Sequence, residues 1–333
     1  MLEVRILTMA VHQGGKLAQF DVTLAGEITM DLLLYGLPEE LPVERELVAD
    51  RMALTLGGSS AITAHNLAVL GSRTGFIPQL GADPFTEVCV DTLRQAGVDL
   101  SHAVAPKTNV GTGVTVLLQH KRSRRALTYS GTASSLRYDD LNLAYLASGR
   151  HFHLSSFFLQ SGLRDDVPKL LATMRSAGLT TSLDTNDDPE DLWDGPIAET
   201  LAHLDILMPN EREACRLANE SSFEDAVRKL AEKIPVLVVK RGVKGALVMH
   251  QGVRYESPGY TTNVVDVIGA GDSFNAGFLH AFVNRARLDD CLALGNACGA
   301  YSTTSSGGVQ AFSDLPRMQR FFESCGVAEK IVL

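Results

Sequence analysis

The stretch Asp266-Val267-Ile268-Gly269-Ala270-Gly271-Asp272 brings together residue types whose spacing suggests chemistry. Phe274, Phe278 and Phe282 follow it at i, i+4 and i+8, so a buried helix is expected to start at this turn, with Gly269, Ala270 and Gly271 at its N-terminus. Side chains this small leave backbone N–H groups uncovered. Those amides, with the positive end of the helix dipole, make a site for negative charge. Asp272 then falls in the first helical turn. In phosphoryl transfer, charge spreads over the oxygens of the moving group while the attacking hydroxyl loses its proton. Amides facing an anion beside one carboxylate answer both needs. An aspartate with a reference pKa of about 3.9 is ionised at neutral pH unless strongly desolvated, and it is a weak base for an alcohol. Asp272 is therefore expected to orient the hydroxyl first and to accept its proton late. Taken alone, the stretch reads equally as an ordinary glycine-rich helix start with an Asp favoured by the dipole.

The elements that must hold such a turn follow from the pattern of the rest of the chain. From about residue 57 onward, short β-branched runs alternate with amphipathic stretches, which predicts parallel strands joined by crossover helices and an α/β fold. Strands are expected at 74–77, 150–154, 180–183, 205–208 and 236–240, with helices at 85–95, 164–176, 210–217 and 223–233. A sheet of that kind binds ligands at the carboxyl ends of its strands. Two stretches, 28–56 and 104–131, break the alternation. Within the second, 112–119 and 125–129 read as paired strands joined by the basic turn Lys121-Arg122-Ser123-Arg124-Arg125. Together the two stretches suggest a small second sheet with a face that a substrate or another subunit would cover.

Composition narrows the function classes. The 333 residues are 45% apolar and 21% charged, the balance of a globular chain with a sizeable core. Thirty basic against 39 acidic residues give a net charge of −9, and no run of five or more like charges suggests a nucleic-acid footprint. Five cysteines, Cys89, Cys215, Cys291, Cys298 and Cys325, make no C-x-x-C pair, which points to a reducing, cytoplasmic compartment rather than a disulfide framework or zinc site. No apolar run is long enough to span a membrane, and no leader pattern opens the chain. Residues 1–19 read as an N-terminal extension without an assigned role.

The turn at 266–272 resembles the signature of the ribokinase-like (PfkB-type) carbohydrate kinases, an Asp, two variable residues and Gly-Ala-Gly-Asp before a helix. The match runs from Val265 through Gly277-Phe278, and further elements occur in family order from about residue 25 to 312. The resemblance implies an α/β fold: a ribokinase-like three-layer α/β/α sandwich with a mostly parallel central sheet and a small β-sheet lid. It places one kinase domain at 20–330, with lid segments at about 28–56 and 104–131. It implies transfer of the γ-phosphoryl group of ATP, with Mg2+, to a hydroxyl of a sugar or related polyol, and a homodimer formed through the lid.

Residue by residue, Gly26-Glu27-Ile28-Thr29-Met30-Asp31 looks like the family's first strand and substrate-binding Asp, Asp31, whose carboxylate can accept from adjacent hydroxyls. Gly57-Gly58 resembles the glycine pair that lets backbone approach the sugar. Ile62 stands where many relatives carry an Asn that contacts sugar hydroxyls, which makes the pocket locally less polar. Gly81-Ala82-Asp83-Pro84-Phe85 is similar to another family stretch and also reads as a capped helix start. Asp184-Thr185-Asn186 resembles the element near the phosphates and metal. Asp188 occupies a position that is often Arg in relatives acting on acidic sugars, so acidic sugars are disfavoured. Asn210 and Glu213 match the family's Asn-x-x-Glu motif: they share a helix face, and Glu213 is expected to meet Mg2+ through water. The same spacing also fits a capping box.

Lys240 to Gly245 resembles the nucleotide-side turn, with Lys240, Gly242 and Gly245 near the phosphates, and also reads as a hairpin turn. Asn296 resembles the residue beside the adenine, and Gly307-Gly308 the loop that closes the nucleotide site. Some relatives bind a monovalent cation, such as K+, beside the first Asp of the signature, here Asp266. A nucleoside kinase, a sugar-phosphate kinase using the basic turn, and a non-catalytic ligand-binding relative remain as alternatives.

Overall fold

The computed structural model describes residues 18–106, 109–120 and 123–328. Residues 1–17 of the expected extension, and Lys121 and Arg122 of the basic turn, lie outside the described residues.

Twelve strands form two sheets among the described residues. They are β1 (Val22–Gly26), β2 (Thr29–Tyr35), β3 (Arg51–Gly57), β4 (Thr74–Pro78), β5 (Gly113–Gln119), β6 (Arg124–Tyr129), β7 (His151–Ser155), β8 (Thr180–Asp184), β9 (Ile206–Leu207), β10 (Val236–Lys240), β11 (Ala246–His250) and β12 (Val253–Ser257). The large sheet runs β12-β11-β10-β9-β8-β7-β1-β4. Every pair from β10 to β4 is parallel; the other two are antiparallel. Two apolar cores pack on its opposite faces: Leu24, Met208 and Val238 point to one, Leu154, Leu183 and Val239 to the other. That is the side-chain alternation of strands covered by helices on both faces. The helix Ala270–Val283 is buried along almost its whole length and packs with Leu288–Ser302 in the first core.

The small sheet is β3-β2-β5-β6 and contains the two stretches that interrupt the sequence alternation. Its inner face carries Asp31, Leu33, Thr115, Leu117, Ala126 and Thr128; the register sends Leu32, Leu34, Met52, Leu54, Val116, Leu118, Leu127 and Tyr129 to the outer face. Met52, Leu127 and Tyr129 are about 60% exposed there.

Several expectations need adjustment. Gly26 and Asp31 do not share a strand: β1 ends at Gly26, and Asp31 belongs to β2 of the lid, because the chain leaves one sheet for the other at Glu27-Ile28. The strand expected at 205–208 keeps its ladder only at Ile206–Leu207. The helix expected at 164–176 begins with a 3-10 turn, Arg164–Asp166, and becomes α-helical at Val167 with Pro168 in its first turn, where a missing N–H costs nothing. The turn after Lys240 is the connection of an antiparallel hairpin, β10 to β11, so the hairpin reading of 240–245 holds. No described helix is long and apolar enough to cross a membrane.

Candidate active site

Glu27, Ser156, Asp184 and Lys240 stand at or just beyond the carboxyl ends of β1, β7, β8 and β10, and all four line one cleft of 710 Å³. Asp31, Thr115, Leu117, Arg124, Ala126 and Thr128 roof it from the lid, while Gly269, Gly271 and Asp272 form the opposite wall. A second cavity of 230 Å³ lies beside it, lined by Tyr260, Thr262, Phe274, Asn296, Ala300 and Thr303 among others. Lys240, Gly242, Val267 and Gly271 line both, so the two spaces meet at the start of the buried helix.

Local sequence explains the wall. Gly269 is the N-cap of Ala270–Val283 in a left-handed conformation, φ 71°, and no side chain caps the helix. The helical hydrogen bonds at this end begin with Ser273 N–H to the Gly269 carbonyl, 2.8 Å. Before it, Ala270 N–H makes a long turn bond to the Val267 carbonyl, 3.3 Å, and among the described residues the amides of Gly271 and Asp272 are the uncapped donors of the helix start. A methyl group on Gly269 would sit 2.4 Å from Gly308 Cα, so glycine is required by both conformation and space.

Asp272 is buried at the inner end of this turn. Burial pushes its carboxyl up to about 7, the charge of Asp184 adds to the shift, and Lys240 and a hydrogen bond from Ser59 oppose it. The expectation of an aspartate near its reference value is corrected by this desolvation. Lys240 does not extend freely toward the cavity: its ammonium pairs with Asp184, with the two side chains 13% and 2% exposed. Burial works against the ammonium, but Asp184 and Glu213 outweigh it and hold its pKa above the ordinary value. Asp184 also accepts from Asn275 Nδ2 and from the backbone of Asn186. Asn186 reaches Ser59 with its amide, which links β8 to the Asp272 side of the cleft.

Asn210 and Glu213 form the capping box. Glu213 N–H donates to Asn210 Oδ1 at 2.9 Å, and Asn210 N–H donates to Glu213 Oε2 at 2.8 Å. Both line the cleft, so the capping role and a position facing the cleft coexist. Burial, reinforced by Asp184, raises the Glu213 carboxyl to about 7.

On the lid side, Asp31 is buried and raised to about 7, mainly by burial, with Asp266 adding and Thr29 opposing. Gly57 does not line the cleft; it gives Asp31 its room, since a methyl there would lie 2.0 Å from Asp31 Oδ1. Gly58, at φ 87°, does line it. Ile62 lines it too but packs against Gly308, where a methyl would meet Ile62 Cδ1 at 2.7 Å. Gly245 is held by the hairpin, a methyl there meeting Ser257 O at 2.0 Å. Asn296 faces the smaller cavity, with its amide donating to Ser257 and Pro258 carbonyls. Asp266 accepts three hydrogen bonds: from Tyr35 Oη at 2.7 Å, Gly307 N at 3.0 Å and Ile268 N at 2.9 Å.

Asp188 departs from expectation. It accepts the backbone N–H groups of Glu190, Leu192 and Trp193 and does not line the cleft, so it gives no charge argument against acidic sugars. Glu27 was not singled out from sequence. Its carboxylate accepts from Ser60 N, Ser60 Oγ and Ser156 Oγ at 3.1, 2.7 and 2.7 Å, and burial raises its pKa. The available signal was a lone charge within the otherwise uncharged run from Val22 to Met30.

Asp31→Asn removes a carboxyl whose folded pKa lies above its unfolded value. The native state of the parent protein therefore loses stability as pH rises through that interval. The variant is expected to melt a few degrees higher than the parent at pH 8, with a smaller gain at pH 5, while the KM of the acceptor rises. Calorimetry at the two pH values checks the first part and initial rates the second; an equal or lower melting temperature at pH 8 would contradict the buried charge.

The sequence model of the pfkB family of carbohydrate kinases matches residues 19–314. Fructokinase of Salmonella typhimurium is 29% identical over 271 residues, spanning 77% of this chain and 88% of that protein. ATP-dependent ribose-1-phosphate kinase of Halopiger xanaduensis is 29% identical over 256 residues, spanning 77% and 82%. Fructokinase from Vibrio cholerae, solved with fructose, ADP and calcium, superposes with a TM-score of 0.76 at 25% identity, covering 91% of this chain and 99% of that one.

Proposed function

The chain belongs to the pfkB family of carbohydrate kinases and phosphorylates a sugar at the expense of ATP, and on that premise we propose how its residues divide the work. The observation that carries the proposal is the junction of the two cavities at Gly271 and Lys240, next to Asp272. The adenosine part of ATP occupies the smaller, mostly apolar cavity beside Asn296, and the phosphates pass Gly242 and Lys240. The γ-phosphoryl group lies against the amides of Gly269 to Gly271. The acceptor sits under the lid with hydroxyls on Asp31, close to the backbone at Gly58. Asp272 orients the attacking hydroxyl and receives its proton as the phosphoryl group transfers. Amides already aimed at the transferring group need no reorganisation during reaction, and the lid excludes water that would compete as acceptor.

Mg2+ arriving with the nucleotide would offset phosphate charge. The described residues contain no cluster of three or more His, Cys, Asp or Glu able to hold a metal unaided, which suits an ion carried by phosphates and water. Asn186 Oδ1 and Asn275 Oδ1 are buried without a protein partner beside Asp184, and with Glu213 they fit the water shell of such an ion. A monovalent cation at Asp266 would have Oδ1 as its available oxygen, since Oδ1 accepts only Ile268 N–H among the described residues while Oδ2 accepts from Tyr35 and Gly307. No step is assigned to it. The apolar outer face of the lid supports a homodimer formed there, and cysteine usage supports a cytoplasmic location.

Arg124 favours a second reading, a phosphorylated acceptor. Its side chain lines the cleft from β6 and has no carboxylate partner among the described residues. The Halopiger relative is named for a phosphorylated sugar. A coupled ADP-release assay with D-fructose, D-ribose, their phosphates and adenosine separates the readings. Acceptor-dependent ADP release with a free sugar supports the first. Release with sugar phosphates alone, with the acceptor KM raised about tenfold or more by Arg124→Ala, supports the second. No acceptor-dependent release from any of these compounds would sink both.

A further inference from the structure

One corner of the lid is tied to the phosphate-binding turn by side chains that the proposed mechanism does not use. Tyr35 and Arg51 are cross-strand partners on β2 and β3, and the guanidinium lies 3.8 Å from the centre of the Tyr35 ring. From this pair, Tyr35 Oη donates to Asp266 Oδ2 at 2.7 Å, and Arg51 Nη1 donates to Ser306 Oγ at 2.9 Å. Burial pushes the Tyr35 phenol up to about 12, so it remains a donor throughout the working pH range.

Asp266 passes the contact on. Its Oδ1 accepts from Ile268 N, directly before the glycine turn, and its Oδ2 also accepts from Gly307 N. The 307–308 loop is in turn set against both sides. A methyl on Gly307 would meet Thr55 of the lid at 2.5 Å, and Gly308 abuts Gly269. Asn66 Nδ2 donates to the Gly308 carbonyl at 3.1 Å. Lid strand, Asp266, glycine turn and the 306–308 loop therefore share a contiguous set of contacts, and an opening lid must withdraw two of its donors.

We propose that Tyr35 and Arg51 are positioning residues that make the phosphate-binding turn depend on lid closure, with the Asp266 carboxylate as the shared contact. The inference rests on the kinase reading above, in which the acceptor sits under the lid, and adds that the bound acceptor favours the closed lid. Its thermodynamic content is reciprocal: acceptor raises the affinity for nucleotide, and nucleotide raises the affinity for acceptor by the same factor.

The test uses Tyr35→Phe, which keeps the ring and removes only the hydroxyl, and Arg51→Gln. Dissociation constants of magnesium adenylyl-imidodiphosphate are measured by titration calorimetry with and without a saturating free or phosphorylated sugar. The sugar is the one turned over by the parent protein. The parent is expected to show coupling of about 5-fold or more, and each folded variant a factor near one, with the affinity for either ligand alone changed less than the coupling. A residue that only held the fold would weaken both ligands without abolishing their mutual effect. Parent protein without coupling, or variants that retain it, overturns the proposal.

Hydrogen exchange of the ligand-free protein supplies a readout that needs no acceptor. Tyr35→Phe should speed exchange in 266–271 and 306–308 as well as in β2; acceleration confined to β2 also overturns it. Should no sugar be turned over, the kinase reading fails while the exchange experiment still decides the contact network.

Discussion

Asp272→Asn is expected to lower kcat by about 10²–10⁴-fold, the usual contribution of a positioned general base. The dissociation constants of a MgATP analogue and of the acceptor should stay within a few-fold. The size follows from geometry: Asp272 is the carboxylate adjoining the Gly269–Gly271 amides and the Lys240 junction. Only its ionised form accepts a proton. Because its pKa stands at about 7 in the ligand-free protein, kcat/KM should fall as pH drops below about 7 and level off above it. In the variant that acid limb should be lost from the residual rate.

Stability gives an independent control. A buried carboxyl with a raised folded pKa contributes stability below its unfolded pKa and loses it as pH rises through the folded value. Asp272→Asn should therefore be at least as stable as the parent at pH 8, so lost turnover cannot be put down to misfolding. Parent-like turnover in the variant, measured by ADP release with the same acceptor, would remove Asp272 from the chemistry.

Lys240→Met should have the larger effect on the folded state. Lys240 pairs with Asp184 and also lowers the pKa of both Glu213 and Asp272. Removing one partner of a buried ion pair typically costs about 3–5 kcal/mol, because the other charge is left uncompensated. In a chain of this size that corresponds to a fall in Tm of roughly 4–7 °C. The loss should be greatest above pH 7, where Glu213 and Asp272 are most ionised, and smaller near pH 5, where their protonation relieves the cluster. The same substitution should move the acid limb of kcat/KM to higher pH, since Asp272 loses the cation that opposed its shift. Scanning calorimetry at two pH values and a pH–rate profile check both parts. An unchanged limb together with an unchanged Tm would show that the ammonium is not the centre of this cluster.

The legible part of the site was the part written in local spacing. Gly269, Ala270, Gly271 and Asp272 announce a helix start by the phenylalanine period that follows them, and Asn210 with Glu213 by the three-residue step of a capping box. Both elements appear where expected. The parallel strands were legible as apolar runs, and the lid as an interruption of the alternation. What stayed hidden depended on strand order. The pairing of Lys240 with Asp184 exists because β8 and β10 flank β9, a neighbourhood that no spacing along the chain contains. Asn275 joins the same carboxylate from a helix whose other face is core. Asp188 is ambiguous in sequence because an aspartate beside a ligand-binding segment and one closing its own loop look alike there. Its three backbone donors decide the matter. Gly57 was read as a place where sugar meets backbone, whereas its small size serves the carboxylate of Asp31.

The parallel pairing inside the lid also bears on how the molecule comes into being. Thr29 to Leu34 lie against Gly113 to Leu118, so β2, although it can meet β3 early, must wait for its second partner, which is synthesised after β4 and the helix Pro84–Gln95. Such distant pairing demands a large loop closure before it returns any contact energy. The roof of the acceptor cleft is thus expected to assemble late, on a sheet that already holds β1 beside β4. A nascent or refolding chain would acquire its floor before its roof, and for that interval the apolar outer strands of the lid are the segment most exposed to association with other chains.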